Sequence, residues 1–173
     1  MKADLNTLFA TFDRSAFRLE TLDGYTVPSE DAAFAAFKAG EPMPERTIDT
    51  NPWLQIVHHA TQAGKHMSRV HVISRPHTDY IRYELDAYAA NVAAGEDIRI
   101  IERSWGAHSL SSSPDFWLFD DTTVAVMQYD DEGRFLGAVD DSDRLDIYRA
   151  RVEVARACSV DYGDYMTGAA AVG

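Results

Sequence analysis

Stretches in which apolar residues recur every three or four positions take turns along this chain with short runs of β-branched and aromatic residues. Leu5, Leu8, Phe9 and Phe12 predict an amphipathic helix over 4–12. Phe17-Arg18-Leu19-Glu20-Thr21 alternates as a half-buried or edge strand would, and Asp23-Gly24 closes it. Pro28-Ser29 opens a second helix with Ser29 as its cap, Phe34, Ala35 and Phe37 toward the core, and Gly40 as its stop. After a polar connector over 41–50, Asn51-Pro52 starts a third helix, with Trp53, Ile56, Val57 and Ala60 as its apolar stripe and Gly64 at its end.

The stretch from Arg69 to Gly137 carries the clearest pattern. Strand Val70–Ile73 leads through the turn Ser74-Arg75-Pro76-His77 into a helix over 78–94, capped by Thr78, with Ile81, Leu85, Tyr88 and Val92 toward a sheet. Gly95 ends it, and Ile98–Ile101 forms the next strand; this spacing is that of a parallel βαβ unit. Ser109–Pro114 reads as a mobile polar loop. Phe116–Phe119, the turn Asp120-Asp121-Thr122 and Val124–Met127 make one hairpin, and the turn 130–133 leads to a return strand over 134–137. A last helix spans 142–158, with Leu145, Tyr148, Val152 and Ala155 on one face. The tail with Tyr162, Tyr165 and Met166 either docks as a short helix or frays.

The expected fold is therefore α/β, bordering on α+β: a single domain over 1–173, its mixed sheet built from a βαβ unit and antiparallel hairpins and packed by about five helices. Residues 1–65 are a mostly helical N-terminal part, 66–140 the βαβ and hairpin core, and 141–173 the C-terminal helix and tail. A chain of 173 residues holds one full core.

Charge narrows the function classes. The net charge of −12, with no run of Lys and Arg, disfavours direct nucleic-acid binding and permits a basic protein partner. No apolar run is long enough for a membrane span, and the N-terminus lacks a signal-peptide pattern. The lone Cys158 lies in a helical pattern as a small buried residue and allows no internal disulfide, so a cytoplasmic location is expected.

No phosphate-binding glycine loop, nucleophile elbow or cysteine pair is present, and no motif implies a cofactor or a metal. His58 and His59 point about 100° apart on a helix and read as surface residues. Ligands of βαβ sheets sit beyond the carboxyl ends of the parallel strands. The candidate ligand-binding residues are therefore Arg75, His77, Asp79 and Arg103, with an anion at the helix N-terminus among them. Glu84 joins them: it flanks the apolar stripe of its helix and needs a buried partner, with Arg69, Arg75 and Arg99 as candidates. The simplest role for Glu84 is a structural ion pair. No catalytic residue is named.

Two resemblances extend this reading. The order of strand, helix, Gly-strand and aromatic strand ending in aspartate, carried by His71-Val72-Ile73, the helix through Tyr80-Ile81, Ala94–Arg99 and Phe116–Asp121, resembles one half of a phospholipase D-like domain over 68–130. That family's active members use a histidine, a lysine two positions later and an aspartate five further on. Aligned on Asp120, Ser113 and Asp115 stand where the histidine and lysine belong, which implies a degenerate, non-catalytic copy. The whole chain is also similar to a family of uncharacterised actinobacterial proteins, through Phe17–Leu22, Thr78–Leu85, Asn91–Arg99 and Asp115–Asp121. Its members look like companions of helix-turn-helix transcription regulators, and this implies a partner or signal-receiving role.

The expectation is a non-catalytic regulatory module that binds a protein partner, a helix-turn-helix regulator foremost, or a small anionic ligand; a homodimer is left open. Two alternatives stand beside it: a small hydrolase or transferase acting on a phosphoester or nucleotide, and the acidic member of a toxin–antitoxin-type pair.

Overall fold

The computed structural model describes residues 1–168. A seven-stranded mixed sheet in the order β6-β5-β4-β1-β2-β3-β7 forms its centre, as an α/β fold requires. The strands are β1 (Ser15–Glu20), β2 (His66–Ile73), β3 (Asp97–Glu102), β4 (Phe116–Phe119), β5 (Thr123–Tyr129), β6 (Phe135–Asp140) and β7 (Val160–Asp161). β1, β2 and β3 run parallel, and the others join antiparallel on either side.

Seven α-helices occur among the described residues, more than the five expected because two are very short: α1 (Leu5–Thr11), α2 (Asp31–Ala39), α3 (Pro52–Gln62), α4 (Asp79–Ala94), α5 (His108–Ser111), α6 (Leu145–Cys158) and α7 (Tyr162–Met166). Asn51 and Thr78 cap α3 and α4 by accepting the amides of Leu54 and Ile81. Ser29 caps nothing; a 3-10 turn at Pro28–Glu30 feeds α2 directly.

The two faces of the sheet differ in chemistry. One is apolar: Phe17 and Leu19 of β1, Val70 and Val72 of β2, Ile101, Phe116, Leu118 and Val124 pack under α5 and α6, on Leu110, Tyr148, Val152 and Ala155. The other carries two separate apolar clusters. Ala16, Met67, Trp117 and Phe119 pack against α1 and α3, whereas Ile73, Ile98 and Ile100 pack against α4 and Tyr165 of α7. Between them lie Arg18, Glu20, Arg69 and His71, which parallel pairing of Arg18 with Arg69 and of Glu20 with His71 sets side by side.

Several expectations are corrected. β1 is the central strand rather than a half-buried or edge one, and five of its six residues are buried. Alternation suggested a wet face, but helices cover both sides of a strand with neighbours on each edge. Residues 109–114 are not an open loop: α5 lies there, and Leu110 is fully buried. Cys158 is exposed because it occupies the outward position of the last turn of α6. Ile56 and Val92 end on the outer sides of α3 and α4. The tail docks through α7 and Tyr165; residues 169–173 fall outside the described part.

Gly95 ends α4 at φ +111°, and a Cβ there would come within 2.6 Å of Thr61 Oγ1 on α3. Thr61 Oγ1 in turn donates to the Ala94 carbonyl at 3.1 Å, which fastens α3 to the end of α4. Gly95→Ala should therefore lower stability by roughly 1–3 kcal/mol in urea melts. Gly40→Ala, also at positive φ but with nothing within 4 Å of its Cβ, should cost less.

Candidate functional site

Arg18, Glu20 and Arg69 on the central strands are almost fully buried, so they pair with one another and with Glu96 and Asp115. Arg69 Nη1 donates to Glu20 Oε2 at 3.0 Å, and its Nε donates to Glu96 Oε1 at 2.9 Å. Arg18 Nε approaches Glu20 Oε1 at 3.4 Å, while its Nη2 donates to Asp115 Oδ2 at 3.1 Å and to Tyr129 Oη at 2.7 Å. Asp115 also accepts the amide and hydroxyl of Thr21, both at 2.8 Å, and the Tyr25 hydroxyl at 2.5 Å. Glu96 accepts from Trp53 Nε1 at 3.2 Å and Asn91 Nδ2 at 2.6 Å. Burial opposes ionisation of Glu20, but Arg69 and Arg18 overcome it and hold the carboxyl down to about 2.

Helix α4 lays Glu84 and Tyr88, one turn apart, against this row. The Tyr88 hydroxyl lies 2.8 Å from His71 Nδ1, 2.8 Å from Glu84 Oε2 and 3.1 Å from Glu20 Oε2. His71 Nε2 faces the Leu22 carbonyl at 2.9 Å, so that nitrogen carries the hydrogen. Tyr88 has one proton to share among three acceptor positions. A proton on the Glu84 carboxyl supplies a second donor and relieves the conflict. Burial first, and then the Glu20 charge, push Glu84 up to about 7.

Glu20, His71 and Glu84 each offer a ligand atom within 4.8 Å of one another, a set that suits a divalent ion by type. The Tyr88 hydroxyl, however, already sits within hydrogen-bond distance of all three, and two guanidiniums hold Glu20. A cation would have to displace that hydroxyl, so the residues present fit a shared proton better than a metal.

Above the network opens a cavity of about 410 Å³. Arg69, Glu84, Tyr88 and Asn91 line it from below, and Glu30, Arg46 and Trp53 line its sides. Arg46 comes from the 41–50 connector and donates through Nη1 to the Ala87 carbonyl and to Asn91 Oδ1. Burial raises the Glu30 carboxyl above its usual range.

The residues singled out from sequence are divided by the structure. Arg75 pairs with Glu102 and donates to the Tyr165 hydroxyl at 3.1 Å; His77 Nε2 lies 2.8 Å from the same hydroxyl. Arg103 is nearby, donating to Ser74 Oγ at 3.0 Å and to the Thr21 carbonyl. Asp79 pairs with Arg82 on the exposed first turn of α4. Glu84 stands apart in the buried network. Of the partners expected for it, Arg69 acts through its charge, whereas Arg75 and Arg99 are engaged with Glu102 and Ser159.

Sequence reasoning missed Arg18, Glu20, His71, Tyr88, Glu96 and Asp115 as site residues. The usable signal was that Arg18 and Glu20 on one strand, and Arg69 and His71 on another, share a period of two. Once both strands are placed inside a parallel sheet covered on both faces, such charges have to meet.

Two outcomes follow. Arg69→Met leaves Glu20 and Glu96 without their main partner and should cost about 3–5 kcal/mol in chemical denaturation. Glu84 retains its proton in the folded chain up to about pH 7, but gives it up near its ordinary value of 4.5 when unfolded. Its contribution therefore falls as pH rises through that window and levels off above it. Thermal melts should show the decline in the native chain, and Glu84→Gln should remove it and melt higher on the alkaline side. A pH-independent melting point in the native chain would contradict this account of Glu84.

Comparison with known proteins adds a family without a chemistry. No curated protein matches the chain. The model of a family described as Domain of unknown function (DUF6879) matches residues 3–167, and the chain belongs to that family.

Proposed function

We propose that this protein is a non-catalytic, signal-receiving module that holds a small anionic molecule in the cavity above Arg69. The observation that carries this reading is the charge balance of the cavity. Burial raises both of its carboxyls, Glu30 and Glu84, and so favours their neutral forms, whereas the guanidiniums of Arg46 and Arg69 stay charged. Two guanidiniums thus reach one recess of a chain of net charge −12. Trp53 provides a flat wall, and Asn91 and Tyr88 supply orienting polar groups.

The resemblance to half of a phospholipase D-like domain supports the absence of catalysis. It rests on the succession β2, α4, Gly95, β3 and an aromatic β4 followed by Asp120. Asp115, at the position of the family's lysine, is held by Arg18, Thr21 and Tyr25, and the Ser113 hydroxyl donates to the Pro114 carbonyl at 2.9 Å. Neither group is free to act as a nucleophile or to hold a phosphate. The hydrolase and toxin–antitoxin readings have no comparable support.

A protein partner, with a helix-turn-helix regulator foremost, is the second reading. One observation favours it: at the sheet edge, β6 leaves Phe135 46% and Leu136 62% exposed. No described helix is long and apolar enough to cross a membrane, and the proposed site of action is the cytoplasm.

Native mass spectrometry of the chain purified gently from its own host tests the proposal. The expected result is a small bound anion of defined mass, bound about 10- to 100-fold more weakly by Arg46→Gln through loss of a charge-assisted contact. A co-purifying basic protein, with the cavity empty, would favour the partner reading instead. Turnover of a phosphodiester by the purified chain would overturn the non-catalytic reading.

A further inference from the structure

A second recess lies on the opposite face of the sheet from the cavity over Arg69, and Arg69 borders both. Among the described residues, three buried side-chain polar atoms lack a hydrogen-bond partner: Arg18 Nη1, Arg149 Nε and Ser68 Oγ. Buried polar atoms are almost always paired, so each needs a reason. Arg149 Nε lies 3.2 Å from Asp121 Oδ2 and is answered by charge. Arg18 Nη1 belongs to the ionic network, whose carboxylates surround its guanidinium. Ser68 Oγ has no such answer. Its residue is only 6% exposed, and it lines a cavity of about 230 Å³ beneath the end of α6.

That cavity is cationic in an otherwise acidic molecule. Arg99 reaches it from β3, with Nε and Nη2 donating to Ser159 at 2.8 and 2.9 Å, and forms no salt bridge among the described residues. Arg156 reaches it from α6, lying over the Phe17 ring, and its one carboxylate contact among the described residues is Glu153 at 3.7 Å. Asp97 is the one carboxylate in the lining, and His66 lies 3.5 Å from it. Two guanidiniums and a hydroxyl converging on a small recess form the donor set that a tetrahedral oxyanion takes.

We propose that Ser68, Arg99 and Arg156 form a second binding site, which takes inorganic phosphate or the phosphate of a small monoester. The ligand oxygen accepts from the Ser68 hydroxyl, while the two arginines neutralise the charge.

Thermal unfolding of the full chain, with inorganic phosphate titrated against chloride at equal ionic strength, tests the site. Phosphate should raise the native melting point in a saturable way. Ser68→Ala gives a signature that a structural hydroxyl would not. Removing an unpaired buried hydroxyl should leave the phosphate-free melting point equal or higher, yet reduce the phosphate shift strongly. Arg99→Gln and Arg156→Gln should each weaken phosphate about 10-fold or more. Titration with glycerol phosphate separates the sources: tighter binding than phosphate marks a monoester site, and weaker binding a site for the free ion. No shift at millimolar phosphate, or a shift unchanged in both Ser68→Ala and Arg99→Gln, would overturn the proposal.

Discussion

The ion pair between Glu20 and Arg69 is the constraint from which the rest of the polar face follows. Both residues lie on central parallel strands, where helices shut out water, and neither charge is tolerable alone. Each remaining valence of the pair then fixes another element. Arg69 requires Glu96, Glu96 requires Asn91 and Trp53, and these tie the far end of α4 to the start of α3. Glu20 requires Arg18, Arg18 requires Asp115, and Asp115 gathers Thr21 and Tyr25 into the loop after β1. A polar face of this kind contributes register and specificity more than net stability. Apolar burial stabilises both faces: Phe17, Leu19, Val70 and Val72 meet α6 on the opposite one, and two further clusters flank the network.

The elements were legible in the sequence wherever a local rule governs them. Asn51-Pro52 and Thr78 mark helix starts because capping is decided within four residues, and Gly95 marks a stop because only glycine takes that backbone angle beside Thr61. The position of β1 was illegible for the opposite reason. Arg18 and Glu20 look solvent-facing until their partners, 97 and 49 residues away respectively, are known. Glu84 shows a partial success: its burial and need for a partner could be read from the stripe it flanks, but it contacts phenols and a histidine, and of the expected arginines Arg69 alone acts on it, through its charge. Arg75, His77 and Arg103 do converge at the strand ends, as the βαβ rule places them, but on Tyr165, Glu102 and Ser74 of the protein itself.

The site therefore combines a densely hydrogen-bonded floor with a rim drawn from connecting segments. The floor is a network in which almost every donor is used, whereas the rim comes from the 3-10 turn at Pro28–Glu30, the 41–50 connector and the first turn of α3. Such a division suits recognition, since the floor sets charge and the rim sets shape. It suits chemistry less well: His71, the obvious base, is spent on both nitrogens.

The alternation of β2 has a consequence of its own. Ser68 and Arg69 are consecutive residues of one strand and point to opposite faces, so a single peptide unit separates the two recesses. If both proposed recesses are occupied, an occupant that shifts the strand at one of them shifts the other's floor, and thermodynamic linkage makes that effect reciprocal. Two such occupants would then act on each other through one strand, and the sign of the coupling would follow from whether they favour the same or opposite positions of β2.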